Sequence, residues 1–239
     1  MRYKNSNQSS TLFCFSPPVM LATIIIELSL LIWALVKYRR TTVLIYTAAI
    51  LLSLAMFQLA EFNTCGRVLG QSGLMWSRIG YVFITVLPPL GLHLISAIAG
   101  KRPGRLHLMA DVLALMLIAI FGLLPSSIYY AVCGGNYVIF KLHNNLGFIY
   151  GLYYLGFLFA GIILAAHYMA KASKKQYAAL LWMIIGYLTF LIPTGIVNML
   201  NPATTAGVPS IMCGFAVLYA LILAFAILPQ VGHNKHKNK

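Results

Sequence analysis

The sequence predicts an all-α membrane protein, a seven-transmembrane-helix bundle with its N-terminus outside the cell and its C-terminus in the cytoplasm. Of its 239 residues, 61% are hydrophobic and only 8% are charged, which is too little charge to cover the surface of a soluble domain. The apolar residues form long runs, and a run of about 20 spans the hydrocarbon layer as a helix. Seven such runs fill the chain and leave no room for a separate soluble domain.

The predicted helices divide the chain into an extracellular segment at 1–18, a transmembrane domain at 19–228 and a basic cytoplasmic tail at 229–239. In chain order, the seven apolar runs are 19–37, 42–62, 74–99, 106–124, 146–169, 177–197 and 208–228. The first run is long, ends in a basic cluster and has no small-residue cleavage site after it, which argues against a signal peptide. The third run contains Pro88 and Pro89 at its middle, which predicts a kink or a tilt there.

The orientation follows from the distribution of Lys and Arg between the runs, since cytoplasmic loops are enriched in both. Basic residues cluster after each odd-numbered run, whereas the opposite side carries only Arg2, Lys4, Arg67 and Lys141. The clusters are Lys37, Arg39 and Arg40; Lys101, Arg102 and Arg105; Lys171, Lys174 and Lys175; and Lys235, Lys237 and Lys239. The clustered side is predicted to be cytoplasmic, so the net charge of +14 reflects membrane topology rather than nucleic-acid binding.

The longest connection, 125–145, lies on the outer side and is open to two interpretations. It is either a short hairpin lid over the bundle or an interfacial loop whose tyrosines anchor it at the membrane surface. Three of the four cysteines also lie on the outer side, where disulfides can form. We predict a bond between Cys65 and Cys133, in the first and second outer loops. Pairing of Cys14 and free thiols are the alternatives.

The three acidic residues of the chain, Glu27, Glu61 and Asp111, all fall inside apolar runs. A charge at the middle of a transmembrane helix costs about 2.5–3.5 kcal/mol on insertion scales, so such residues usually face the bundle interior and have a partner. Glu61 lies at the outer end of the second run, and Arg78 lies about one turn into the third. Their similar depth on consecutive helices predicts an ion pair between them.

These charges predict a ligand-binding pocket in the outer half of the bundle. Gln58 lies three residues before Glu61 and shares its helix face, as Tyr81 does with Arg78. The predicted pocket residues are Glu27, Gln58, Glu61, Arg78, Tyr81 and Asn198. A purely structural polar network is the competing interpretation, because buried polar groups need partners in either case.

A second set of polar residues, near the predicted cytoplasmic side, has side chains of the kind that bind zinc. The weak candidates are His93, His107, Asp111 and His167, with His107 and Asp111 four residues apart on one helix. A membrane zinc hydrolase would need such ligands, but their spacing matches no zinc motif. We therefore predict no metal and no cofactor. A retinal chromophore is also unexpected, since no lysine lies mid-membrane to form the Schiff base.

The third and seventh runs carry a family resemblance. Residues 76–81, Trp-Ser-Arg-Ile-Gly-Tyr, followed by Pro88-Pro89 and His93, resemble the N-terminal seven-helix sensor region of bacterial and archaeal histidine kinases. The seventh run is similar to the last helix of that region. The resemblance implies a sensor that passes a signal to a cytoplasmic output. Eleven residues follow the seventh run, with no dimerisation helix, phosphoacceptor segment or ATP-binding domain, so kinase activity is not expected.

The sequence thus predicts a non-catalytic membrane sensor in the plasma membrane of a prokaryote, which binds a small or lipidic ligand in the outer half of the bundle. Its expected partners are membrane lipids, a cytoplasmic signalling protein and a second copy of the chain. Two alternatives stay open. One is a small secondary transporter that uses the intramembrane carboxylates, and the other is a membrane zinc hydrolase that acts on lipid.

Overall fold

A computed structural model of the chain describes residues 17–66, 72–133, 137–143 and 145–232. Within these ranges, seven helical segments are long and apolar enough to cross a membrane, which confirms the seven predicted spans. They are Pro18–Lys37, Thr42–Gly66, Gly73–Ala99, Arg105–Leu123, Leu146–Met169, Lys174–Leu200 and Thr204–Val231. Cys14, Arg67 and most of the predicted terminal segments lie outside the described residues. The orientation in the membrane stays a prediction.

Two of the seven spans are built from more than one helix. The helices are α1 (Pro17–Lys37), α2 (Thr42–Gly66), α3 (Gly73–Thr85), α4 (Leu87–Ala99), α5 (Arg105–Leu123), α6 (Leu146–Met169), α7 (Lys174–Leu200), α8 (Val208–Ile222) and α9 (Leu228–Val231). α3 and α4 form the third span. α8 and α9, joined by a π-helical turn at Leu223–Ile227, form most of the seventh. The strands β1 (Ile128–Cys133) and β2 (Val138–Leu142) lie between α5 and α6.

The sixth span begins before its predicted apolar run because a capping motif starts the helix. The Ser173 hydroxyl accepts the N–H of Gln176 at 3.4 Å, and the Ser173 N–H donates to the Gln176 side-chain oxygen at 3.1 Å. This capping box satisfies backbone N–H groups that a helix N-terminus leaves free. Lys174 and Lys175 therefore lie in the first turn of α7 rather than in a loop.

The third span is interrupted at Val86, next to the proline pair that predicts a kink. Pro89 has no N–H to donate to the carbonyl of Thr85, four residues earlier. The Tyr153 hydroxyl of α6 donates to that carbonyl instead, at 2.6 Å. A neighbouring helix therefore satisfies the backbone group that the proline leaves free, as the hydrocarbon interior requires.

Tyr153→Phe is expected to destabilise the protein by about 1–3 kcal/mol, because it leaves the buried Thr85 carbonyl without a donor. In a Pro89→Ala background the backbone N–H is restored, so the same change is expected to cost less than about 0.5 kcal/mol. Free energies of unfolding measured in mixed micelles test this, with the exposed Tyr177→Phe as the control. An equal cost of Tyr153→Phe in both backgrounds would contradict the prediction.

Helices α2 and α4 form the centre of the bundle. α2 contacts α1, α3, α4 and α8, and α4 contacts α2, α5, α6 and α7. The peripheral helices α1, α5 and α6 expose large apolar side chains, including Ile32, Leu115 and Ile163. An exposed apolar surface of this kind suits contact with lipid.

The connection between α5 and α6 forms an antiparallel hairpin of β1 and β2, as the first of its two interpretations predicts. Phe140 of β2 is buried and packs against Phe57 and Tyr81, at ring-centroid distances of 6.4 and 5.4 Å. The predicted disulfide between Cys65 and Cys133 is present and joins the end of α2 to the end of β1. We call this end of the bundle the hairpin end, and the opposite end, with the Lys and Arg clusters, the basic end.

Candidate intramembrane carboxylate site

Arg78 does not form the predicted ion pair with Glu61. Its Nε and Nη2 atoms donate to the carbonyls of Phe121 and Gly122, at 2.8 and 2.5 Å. These carbonyls belong to the last turn of α5, where no following helical N–H is available and where a cation interacts favourably with the helix dipole. Helices α2 and α5 both pack against α3. The depth of Arg78 in the membrane therefore does not decide which of these two helices its side chain contacts.

Arg78→Ala is expected to cost about 2–4 kcal/mol of unfolding free energy, since hydrogen bonds from charged groups contribute about 1.5–3 kcal/mol each. Because Arg78 and Glu61 have different partners, Arg78→Ala and Glu61→Gln are expected to be additive within about 0.5 kcal/mol. A double-mutant cycle measures their coupling. A coupling energy above about 1 kcal/mol would show that the two side chains interact after all.

Glu61 joins α2 to α8 and to the hairpin. Its side chain is 1% exposed, and its carboxylate accepts a hydrogen bond from the hydroxyl of Ser210 near the start of α8. The Ser210 oxygen in turn accepts the N–H of Val138 in β2, at 3.1 Å. The second carboxylate oxygen, Oε1, has no hydrogen-bond partner within the described residues. Tyr81 lies close enough to interact electrostatically with this carboxylate.

Cys213 of α8 lies at the centre of the site. Gln58, one turn before Glu61 on α2, donates its side-chain N–H to the Cys213 carbonyl at 3.0 Å. The buried Cys213 thiol lies within electrostatic range of both Glu27 and Glu61. Two carboxyl groups, from α1 and α2, therefore lie within electrostatic range of the same residue of α8.

Glu27 is fully buried, and its carboxyl group is unsatisfied. It is 0% exposed, and neither carboxylate oxygen has a hydrogen-bond partner in the described part of the chain. The one ion pair found in those same ranges joins His93 to Asp111, so no described cationic side chain offsets a charge on Glu27. A buried carboxyl group carries either a proton or a charge that a cation must offset. Glu27 therefore needs either a bound proton or a cation from outside the described residues.

A cavity of about 20 Å³ lies beside Cys213, between the central helices. Aromatic side chains, including Tyr154, Tyr187 and Tyr219, form much of its wall. The volume is that of about one water-sized species. Leu87, the first residue of α4, also lines the cavity, so the interruption of the third span borders the cavity, whereas Glu27 and Glu61 do not line it.

The structure places four of the six predicted pocket residues around Cys213, namely Glu27, Gln58, Glu61 and Tyr81. The other two have separate roles. Arg78 caps α5, and Asn198 accepts hydrogen bonds from the hydroxyls of Thr204 and Thr205, at 3.3 and 2.9 Å. Asn198 thus stabilises the turn that follows α7.

Sequence analysis missed Ser210 and Cys213. Both lie at the start of the seventh apolar run, three residues apart, and so share a helix face. This spacing is the sequence feature that could have indicated the two residues. A serine or a cysteine inside an apolar run is common, however, so it indicates a site only when the residues of the helix that faces it are known.

The four weak zinc-ligand candidates do not form a metal site in the part of the chain that the structure describes. His93 pairs with Asp111, with 3.1 Å between Nε2 and the carboxylate. Both ring nitrogens of His107 are engaged: Nδ1 accepts the backbone N–H that precedes α5 at 3.1 Å, and Nε2 lies 2.8 Å from the Ser96 hydroxyl. Neither nitrogen of His107 is free for a metal, and His167 is not joined to this cluster by any described bond.

Comparison of the chain with protein families, curated proteins and solved structures finds no match in any of the three. The resemblance to a histidine-kinase sensor region stays a prediction. Function has to be inferred from the carboxylate site itself.

Proposed function

We propose that this chain is a non-catalytic, multi-pass membrane sensor whose ligand is a small monovalent cation held by Glu27 and Glu61. The observation that supports this most directly is the burial of Glu27 in a membrane-spanning helix with both carboxylate oxygens unpartnered among the described residues. Ionisable residues in such positions usually mark ligand or ion sites. The cavity of about 20 Å³ beside Cys213, which neither glutamate lines, has room for a species of the size of a water molecule and not for a lipid.

Cation binding would be transmitted to the rest of the protein as a change in helix packing. Both carboxyl groups lie within electrostatic range of α8, so a cation bound at either of them would change the interaction energy of that carboxyl group with α8. Such a ligand shifts a conformational equilibrium only if it binds one packing more tightly than the other. The seventh span runs from this site through the π-helical turn Leu223–Ile227 to the basic end, where a cytoplasmic partner would receive the signal. π-helical turns of this kind occur frequently at functional sites.

A secondary transporter is the second candidate function, and one observation favours it. The third span is interrupted at Val86 and the seventh carries a π-helical turn, and both spans contribute residues to the cavity wall. Transporters commonly place ion sites where the regular geometry of a transmembrane helix is broken. The two proposals share the cation site and differ in whether the cation crosses the membrane.

The test is a cation titration of the purified protein in phosphatidylcholine nanodiscs, at constant pH and ionic strength. Sodium, potassium or methylammonium chloride replaces choline chloride while thermal stability is measured. A cation that binds only the folded protein adds about 2.7 kcal/mol of stability at 100 times its Kd. We expect such a gain in the wild type and its loss in Glu27→Gln.

Asp111→Asn is the matched control, because it removes the intramembrane carboxylate that already has a partner, His93. This variant is expected to keep the cation-dependent gain. A wild type that responds to none of the three cations, or a gain that survives in Glu27→Gln, would overturn the proposal. Uptake of the same cation into proteoliposomes that is lost in Glu27→Gln would favour the transporter over the sensor.

A further inference from the structure

A cleft of about 700 Å³ opens at the basic end of the bundle, and it is independent of the carboxylate site. The ends of α2, α4, α7 and α9 surround it. Its volume falls within the range of about 300–1,000 Å³ that is usual for small-molecule sites. Its polar lining includes Arg39, Lys175, Thr41, Ser173 and Gln230.

The cationic side chains of this cleft have no acidic side chain paired with them in the described part of the chain. The chain contains three acidic residues, and all three lie within membrane-spanning helices. Asp111 pairs with His93, and Glu27 and Glu61 approach Cys213. Within the described residues, neither Arg39 nor Lys175 forms an ion pair. Two positive charges that line one cleft without a counter-charge among the described residues point to an anionic ligand.

The backbone at the cleft also favours an anion. α2 and α7, of 25 and 27 residues, both begin at the cleft. A helix N-terminus carries partial positive charge, although the hydroxyls of Thr41 and Ser173 each accept one N–H of the first turn here. Arg39 offers a planar fork of donors that matches phosphate oxygens, and Lys175 adds a point charge. The Thr41 hydroxyl adds a neutral polar group on the same wall, whereas the Ser173 hydroxyl donates to the Gln176 side-chain oxygen at 3.0 Å.

We infer that this cleft binds a phosphate-bearing anion between Arg39 and Lys175. The phosphate belongs either to the headgroup of an anionic lipid or to a soluble molecule, because both offer the same chemistry to the two cations. Anionic lipids bind basic pockets between transmembrane helices in this way.

The test compares two sources of phosphate and two charge-matched variants of the full chain. One arm measures binding of radiolabelled inorganic pyrophosphate to protein in phosphatidylcholine nanodiscs. The other counts bound phosphatidylglycerol by native mass spectrometry after incubation with mixed phosphatidylcholine and phosphatidylglycerol vesicles. Arg39→Gln/Lys175→Gln removes two charges from the cleft. Lys101→Gln/Arg102→Gln removes two charges from an exposed loop at the same end, outside the cleft lining.

We expect the cleft double variant to weaken binding at least tenfold in one arm or both, and the loop double variant to change it less than twofold. An effect in the vesicle arm alone identifies a lipid headgroup, and an effect in the pyrophosphate arm alone identifies a soluble phosphate. The inference is overturned if both double variants weaken binding equally, since the effect is then general surface charge. It is also overturned if neither probe binds the wild type. All four substituted side chains are exposed, so each variant is expected to fold.

Discussion

Glu27→Met is expected to stabilise the protein by about 1–3 kcal/mol in choline buffer, because it replaces a buried, unsatisfied carboxyl group by an apolar side chain of similar size. The same substitution is expected to abolish the cation-dependent gain in stability. Opposite effects on stability and on response are typical of residues that serve function at a cost in folding energy. Few other single changes in this chain are expected to raise its stability by as much.

Glu61→Met is the matched comparison, since the chemistry of the substitution is identical. Glu61 accepts a hydrogen bond from Ser210, so its loss is expected to cost about 1–3 kcal/mol rather than to stabilise. Equilibrium unfolding in mixed micelles measures both variants. A destabilisation by Glu27→Met of about 3–5 kcal/mol is the mark of a broken buried ion pair, and it would show that Glu27 already has a cationic partner in the protein.

Removal of the disulfide by Cys65→Ser/Cys133→Ser is expected to cost about 2–4 kcal/mol of unfolding free energy. The bond closes a loop over a sequence separation of 68 residues, and cross-linking a long loop lowers the entropy of the unfolded chain. The hairpin carries Phe140 against Phe57 and Tyr81, and Val138 of the same hairpin bonds to Ser210. If the hairpin is held less firmly after the disulfide is removed, cation binding at Glu61 is also expected to weaken.

A membrane-impermeant phosphine reductant provides the control for this prediction. It is expected to lower the stability of the wild type to the level of the double serine variant and to leave the variant unchanged. A wild type whose stability is indifferent to the reductant would contradict a stabilising role for the bond. Applied to intact cells, the same reagent also reports whether the hairpin end faces the outside, as the positive-inside distribution of Lys and Arg predicts.

The local features of the fold could be predicted because each rests on residues close together in the chain. The seven spans follow from the apolar runs, and the interruption of the third follows from Pro88 and Pro89. The start of α7 three residues before its predicted run was predictable in principle, since Ser173 and Gln176 form a capping box that hydropathy does not detect. The Cys65–Cys133 bond was predictable because few outer cysteines were available.

The partners of the charged residues could not be predicted in the same way. Depth in the membrane predicts that Arg78 pairs with Glu61, yet Arg78 donates to the carbonyls at the end of α5. Two residues at the same height on neighbouring helices contact each other only if their faces are turned together, and helix rotation depends on packing against all neighbours at once. Asn198 illustrates the same limit, because it bonds to the turn that follows its own helix.

The sequence by itself determined that the chain crosses the membrane in seven helical segments. The hydrocarbon interior requires each spanning segment to satisfy its own backbone hydrogen bonds and to expose apolar side chains, and both requirements are visible in composition and run length. Only the tertiary structure decided that Glu27 and Glu61 both lie within electrostatic range of Cys213, that Tyr153 satisfies the carbonyl freed by Pro89, and that Arg39 and Lys175 line one cleft. Those pairings depend on the rotation and contact of helices far apart in the chain, which no local pattern of residues encodes.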